Sequence, residues 1–225
     1  MAGVAVIIPA LNCQGTLDRV LTELPPHLPV YVVDDGSEPP LRAPLVLRHD
    51  RNRGYGGAQK TGYAAAIADG ADRLVLVHGD GQYDVADTLA LAEALDGADA
   101  ALGSRFLVDP SVIPGWRRVG NRGLTGLANL RFGTRHTELH SGARAFRAEA
   151  LVAVDYLSLS DDYLFDQQVL VGLMAAGRTI AERPVRVSYD PSVQSISLRR
   201  SIRYGLGCVR VILGAPRRKG SPRGV

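Results

Sequence analysis

Short unbroken apolar runs alternate along this chain with longer segments in which apolar residues recur every three or four positions. Val4 to Ile8, Val30 to Val33, Leu45 to Leu47, Leu74 to Val77 and Ala98 to Leu102 read as strands, the longer ones buried on both faces. Between them, Leu17, Val20, Leu21 and Leu24 predict a helix over Thr16 to Leu24, stopped by Pro25-Pro26. Gly54-Tyr55-Gly56-Gly57 opens an alanine-rich helix that runs to about Ala68, and a further helix is expected over Val85 to Leu95. Strand and helix alternate, so the expected fold class is α/β, a mostly parallel central sheet flanked by helices. The second half changes character. Residues 107–135 hold Pro110, Pro114, Gly115, Trp116 and many arginines, then a helical pattern at Leu124, Leu127, Ala128 and Leu130. Strands are expected at 139–147 and 179–189 around a helix from Tyr163 to Ala176, and Arg199 to Leu213 reads as a last amphipathic helix. One domain over residues 1–215, with a basic flexible tail at 216–225, accounts for the whole pattern.

The strand ending at Val77 leads into His78-Gly79-Asp80-Gly81-Gln82. In open α/β sheets ligands collect beyond the carboxyl ends of the strands. If the backbone stays extended there, residues 78, 80 and 82 point to one side. One nitrogen and two oxygen donors would then hold Mg²⁺ or Mn²⁺ against a diphosphate; the alternative is a solvated turn. Asp34-Asp35-Gly36-Ser37 ends another strand, and its carboxylates suit the N–H and O–H donors of a base and ribose, unless they only build an Asx-type turn. Asn52 to Gly57 offers backbone N–H groups at a helix start, a natural anion site. Gln59 excludes a Rossmann fingerprint there, and the other reading is a glycine-rich turn packing closely on the sheet, through Gly62 and one of the earlier glycines. Arg105, in Gly103-Ser104-Arg105, suits a phosphate clamp or a structural ion pair. Glu138, His140 and Ser141 to Phe146 are expected near a sugar or acceptor, with a purely structural histidine as the alternative for His140. The acidic and amide groups Asp161-Asp162 and Asp166-Gln167-Gln168 suit a helix start through the helix dipole alone.

Composition narrows the classes. The chain has 225 residues, 46% hydrophobic and 22% charged, as a folded globular protein does. No window approaches the length and apolarity of a membrane span. The N-terminus reads as a first strand, not a signal peptide, and two cysteines, Cys13 and Cys208, make no disulfide framework and suit a reducing cytoplasm. The net charge of +3 conceals arginine clusters at 117–135, 199–210 and 217–223, which suit phosphates on a nucleotide, a nucleic acid or a membrane surface, or an ordinary solvated face. The 217–223 cluster reads as part of the tail.

In order and spacing these motifs resemble the family 2 glycosyltransferases of GT-A fold, in the polyprenyl-phosphate (dolichyl-phosphate-mannose synthase-like) branch. The matching pieces are Val6 to Asn12, Val32 to Ser37, Asn52 to Ala58, His78 to Gln82, Gly103 to Phe106, Ser141 to Phe146 and Ala181 to Val185. The resemblance implies inverting, metal-assisted transfer of a sugar from a nucleotide-diphosphate sugar to a polyprenyl phosphate. It places Pro9, Asn12, Asp34, Asp35, Asn52, Gly54, Gly56 and Gly57 on the donor. It places His78, Asp80 and Gln82 on Mg²⁺ or Mn²⁺, and Asp80 and Arg105 in catalysis. Arg117, Asn121, His140 and Ser141 fall on the acceptor. Three departures stand out. His78 occupies the position of the usual first Asp of a D-x-D motif, Glu138 that of an Asp, and Ser188 to Ser197 lacks the usual basic residue, for which Arg199 or Arg200 would substitute. A cytoplasmic enzyme is expected, peripheral at the inner face of the membrane, with residues 114–132 and 199–213 at the lipid surface and no nucleic-acid partner. Other readings are a soluble or glycan acceptor with Asp166 or another carboxylate as base, a non-catalytic nucleotide-sugar-binding module, and a sugar-1-phosphate nucleotidyltransferase. Against the last, Pro9 to Asn12 replaces the glycine-rich loop expected after its first strand.

Overall fold

The computed structural model describes residues 3–188 and 198–216. Seven strands form one sheet: β1 (Val4–Ala10), β2 (Val30–Asp34), β3 (Val46–Arg48), β4 (Arg73–Leu76), β5 (Ala100–Ser104), β6 (Arg144–Arg147) and β7 (Ile180–Pro184). Their spatial order is β3-β2-β1-β4-β6-β5-β7. All neighbours run parallel except β6, which pairs antiparallel with both β4 and β5. The mostly parallel α/β expectation is met, and the reversed β6 is what sequence alternation alone did not reveal.

The apolar runs behave as a period of two requires. Ala5, Ile7, Leu74 and Leu76 face one core with α2 (Tyr55–Ala68), α5 (Gly115–Phe132), α7 (Leu164–Ala175) and α8 (Leu198–Gly214), including Tyr63, Phe132, Phe165 and Ile212. Val4, Val6, Ile8, Val75 and Val77 face the other core with α1 (Gln14–Glu23), α3 (Val85–Leu89) and α4 (Leu91–Ala94), including Leu17, Val20 and Leu95. The strands are therefore covered on both sides, which explains why they read as continuous runs instead of alternating ones. A short α6 (Ala148–Ala153) follows β6.

Several boundaries differ from the sequence reading. The helix expected over 85–95 is two pieces meeting at Ala90. The strand expected at 139–147 begins only at Arg144, because residues 138–142 turn their backbone groups to side chains. The strand expected at 179–189 ends at Pro184, with one further bridge between Tyr83 and Val187. Residues 189–197 and 217–225, with most of the expected tail, lie outside the described residues, as do the side chains of Arg199 and Arg200. Among the described residues no helix is long and apolar enough to cross a membrane.

Candidate active site

The carboxyl ends of β1, β2 and β4 meet the segment entering β6 at one rim of the sheet, because β6 runs backwards. On the β2 side, Asp34 and Asp35 are both buried. Asp34 accepts from the N–H groups of Ser37 (2.8 Å) and Leu41 (3.0 Å) and from the Ser37 hydroxyl, and pairs with the Arg48 guanidinium. Burial opposes its ionisation, but these donors outweigh burial and hold the carboxyl below its ordinary value. Asp34 is thereby saturated, and the turn-building alternative describes it; its expected contact with donor is not supported by its geometry. Asp35 Oδ1 accepts from Arg53 N–H (2.8 Å) and lies 2.7 Å from His49 Nδ1, while Oδ2 accepts only the Gly54 N–H (2.9 Å). One acceptor position remains on Oδ2, enough for one base or ribose donor. Asn12 ties the β1 and β2 loops together: its N–H donates to Ser37 Oγ and its Oδ1 accepts from Glu38 N–H. Pro9 lies at the end of β1 opposite Val33, and Asn52 is an exposed residue of the following loop.

The glycine-rich segment does not form the expected anion cradle. Its Gly54 N–H is taken by Asp35 and its Gly57 N–H by the Asp161 carbonyl (3.0 Å). Gly54 has φ +102°, and a Cβ there would lie 2.4 Å from the Asp161 oxygen; at Gly56 a Cβ would lie 2.6 Å from Phe165 and from the Ser160 oxygen. These glycines let the start of α2 dock against residues 160–165, a contact secured by Lys60 on Asp161 (2.8 Å). Packing on the sheet is met for Gly62, against Ile7 and Val33, but the earlier glycines of the turn pack on the segment before α7 instead.

Past β4 the chain is not extended. It turns at residues 79–80, and Gly81 N–H donates to the His78 carbonyl at 3.2 Å. The argument from strand alternation for three converging donors therefore does not apply. His78 Nε2 lies 3.0 Å from Tyr55 Oη and 3.1 Å from the Gly142 carbonyl, while Gly142 N–H donates to Tyr83 Oη at 2.8 Å. A carbonyl cannot donate, so Nε2 carries a proton. A Cβ on Gly142 would lie 2.3 Å from that nitrogen, so only glycine admits the contact. Asp80 Oδ1 accepts the Gln82 N–H (3.0 Å), and Oδ2 has no partner among the described residues. Among those residues no three His, Cys, Asp or Glu side chains form a metal cage. A resident ion is therefore not what this donor set fits. One carboxylate oxygen does fit an ion that arrives with a substrate diphosphate, since Mg²⁺-type sites use one or two carboxylates plus phosphate oxygens.

Across the rim, Arg105 is buried in the ion-pair arrangement considered as its alternative. Its backbone N–H donates to Glu138 Oε2 (2.9 Å), its Nε–H to Oε1 (3.0 Å), and its outer nitrogen to Oε1 and the His140 carbonyl. Glu138 has no exposed surface. His140 Nδ1 lies 3.2 Å from Tyr204 Oη on α8, and burial, reinforced by Arg144 and Arg105, pushes its pKa down to about 3. His140 is thus a neutral ring bracing α8, its structural alternative. Ser141 is buried, its hydroxyl accepting from Ala143 N–H. Asp166 is held by Gln59 (2.9 Å) and lies 3.6 Å from Arg144. Arg117 stacks on Trp116, its carbon 5.0 Å from the ring centre, and Asn121 is half-buried one turn further along α5.

Sequence reasoning missed a run of aromatic rings at this rim. Tyr163, half-exposed, stacks on Tyr55 (5.3 Å); Tyr55 contacts His78 (5.7 Å), and His78 contacts Tyr83 (5.0 Å). The available signal was the tyrosine inside Gly54-Tyr55-Gly56, an aromatic where the loop otherwise has no side chain.

Comparison with known proteins agrees with this architecture. The model of the family described as Glycosyl transferase family 2 matches residues 5–154. The UDP-N-acetylglucosamine–dolichyl-phosphate N-acetylglucosaminyltransferase of Methanococcus voltae is 26% identical over 82% of this chain and 85% of its own length. The undecaprenyl-phosphate mannosyltransferase of Micrococcus luteus is 28% identical over 81% and 82%. Among solved structures, glucosyl-3-phosphoglycerate synthase of Mycobacterium tuberculosis bound to UDP superposes with a TM-score of 0.69 at 16% identity, covering 94% of this chain and 79% of that one.

Proposed function

We propose, from the premise that this chain belongs to glycosyl transferase family 2 and has the GT-A fold, that it transfers a sugar from a nucleotide-diphosphate sugar to a polyprenyl phosphate. Relatives named for dolichyl-phosphate and undecaprenyl-phosphate acceptors support the acceptor class. In this reading Asp35 receives the base or ribose through its remaining acceptor position, beside Pro9 and Asn12. Asp80 holds a divalent cation carried by the donor, with His78 Nδ1 as the nearby nitrogen donor and Gln82 fixing the Asp80 rotamer through its N–H. A cation bound there offsets charge on the departing diphosphate. Solved structures of the mycobacterial synthase contain Mn²⁺ together with UDP, which supports an ion of this class. Arg117, Asn121 and the 138–141 loop form the acceptor side, with Arg105 shaping that loop from beneath.

The observation that carries the acceptor reading is the state of Asp166. A hydroxyl acceptor needs a base to take its proton, and Asp166, the one carboxylate named for that task, is buried against Arg144 and Gln59. A phosphate monoester is already anionic at neutral pH, so positioning suffices for attack at the anomeric carbon. The test is nucleoside diphosphate release from a panel of NDP-sugars, with polyprenyl phosphate in detergent, with Mn²⁺, Mg²⁺ or EDTA. Formation of an acid-labile prenyl-phosphate sugar is the expected product. Transfer to hydroxyl acceptors but not to the phosphate would overturn the reading.

A further inference from the structure

Helices α5 and α8 pack side by side on one face of the sheet, joined near their C-termini by Arg131 donating to the Ala215 carbonyl. Their inward residues, Ala128, Phe132, Cys208 and Ile212, are buried. Their outward residues are not polar, as a solvated face would require. Trp116 is 49% exposed, Val119 71% and Leu130 84% on α5; on α8 Ile202, Leu206 and Leu213 are each more than half exposed. Among the described residues, nine of the fourteen exposed large apolar side chains fall in residues 107–132 and 198–214, under a fifth of the chain. That concentration marks an interaction surface.

Charge says what the surface meets. Residues 112–135 and 198–216 contain nine arginines and no acidic residue, a net +9; the whole chain is +3, so the remaining residues sum to −6. Arg203 and Arg210 flank the Ile202–Leu206–Leu213 stripe, and Arg122 lies over the Phe106 ring at 5.1 Å beside the α5 face. Apolar side chains edged by arginine, with a tryptophan among them, match the boundary between acyl chains and anionic headgroups. A nucleic acid would match the arginines but leave the apolar side chains wet.

We infer that the α5–α8 face docks flat on an anionic lipid bilayer. His140 contacts Tyr204 on the inward side of α8, so the buried 138–142 loop is braced directly behind the docked helix. The inference deepens the polyprenyl-phosphate reading by naming the surface on which that acceptor is met, and its test needs no turnover. Trp116 is the only tryptophan of the chain, so its fluorescence reports this face alone. The full chain is titrated with phosphatidylcholine vesicles with and without phosphatidylglycerol. Only the anionic vesicles are expected to shift Trp116 emission to the blue and to quench it when their acyl chains are brominated, and salt is expected to reverse both effects. The variant Arg122→Gln/Arg203→Gln/Arg210→Gln, at exposed positions, is expected to bind about a hundredfold more weakly, from roughly fivefold per arginine near an anionic surface. Emission unmoved by anionic vesicles, an equal response to neutral ones, or wild-type binding by the triple variant at an unchanged melting temperature would each overturn the inference. Docking without sugar transfer would instead sink the acceptor reading and leave the surface standing.

Discussion

The Arg105–Glu138 pair offers a prediction whose size follows from the geometry. Glu138→Ala takes the Glu138 carboxylate away from a guanidinium that is 7% exposed. Breaking one side of a buried pair costs about 3–5 kcal/mol, and in a chain of this size each kcal/mol moves the melting temperature by about 2–4 °C. The expected fall is about 6–20 °C. Glu138→Gln keeps an acceptor for the Arg105 backbone N–H but loses charge-assisted bonds, each worth about 1.5–3 kcal/mol, and falls between wild type and the alanine variant. In Arg105→Met/Glu138→Leu no buried charge remains, which removes the main penalty. The backbone N–H at position 105 still loses its acceptor, at about 1–3 kcal/mol, so the double variant is expected to be more stable than Glu138→Ala alone. Urea and thermal melts of the four proteins give the order directly. Wild-type stability in Glu138→Ala, or a double variant no better than the single one, would refute the reasoning. Transfer activity of the stable double variant then decides whether Arg105 also serves the acceptor.

Three further outcomes are expected. His140 has its pKa lowered from 6.5 to about 3 in the fold, so below pH 6.5 the unfolded chain takes up a proton that the native state refuses, and stability falls with pH until about pH 3; His140→Asn should flatten that part of the pH dependence in urea melts, and an unchanged slope would count against it. Gly54→Ala, with φ +102° and a Cβ 2.4 Å from the Asp161 oxygen, should lower stability by roughly 2 kcal/mol or more, whereas Gly123→Ala on α5, with no neighbour within 4 Å, should raise it by about 1 kcal/mol; equal melting temperatures would contradict both. Asp80→Asn should abolish the Mn²⁺-dependent part of the thermal shift produced by nucleoside diphosphates while leaving the ligand-free melt unchanged, and retention of that part would remove Asp80 from the cation site.

What could be read from the sequence was whatever depends on local period. The runs around Ile7 and Val75 declare two buried faces, and Pro25-Pro26 ends α1 as expected. The site was legible in place but less so in detail. Asp34 and Asp35 stand at the rim as anticipated, yet one is saturated by Arg48 and Leu41, partners 14 and 7 residues away. The glycines at 54–57 signal a tight approach, but the surface they approach lies about a hundred residues later. Residues 78–82 were misjudged because alternation holds only while a strand continues, and Leu76 is its last paired residue. No local pattern distinguishes a parallel β6 from a reversed one.

That reversal has a consequence for how the protein could change. Leu102 near the end of β5 pairs with Arg144 at the start of β6, so the excursion between them leaves the sheet and returns to it at adjacent positions. Everything from Arg105 to Ala143 is thus a closed cassette, with its exit and re-entry side by side. Its ends can stay in place while its exposed middle changes, but Ala128, Phe132 and Leu139 in the core and Gly142 against His78 tie it to the rest of the sheet.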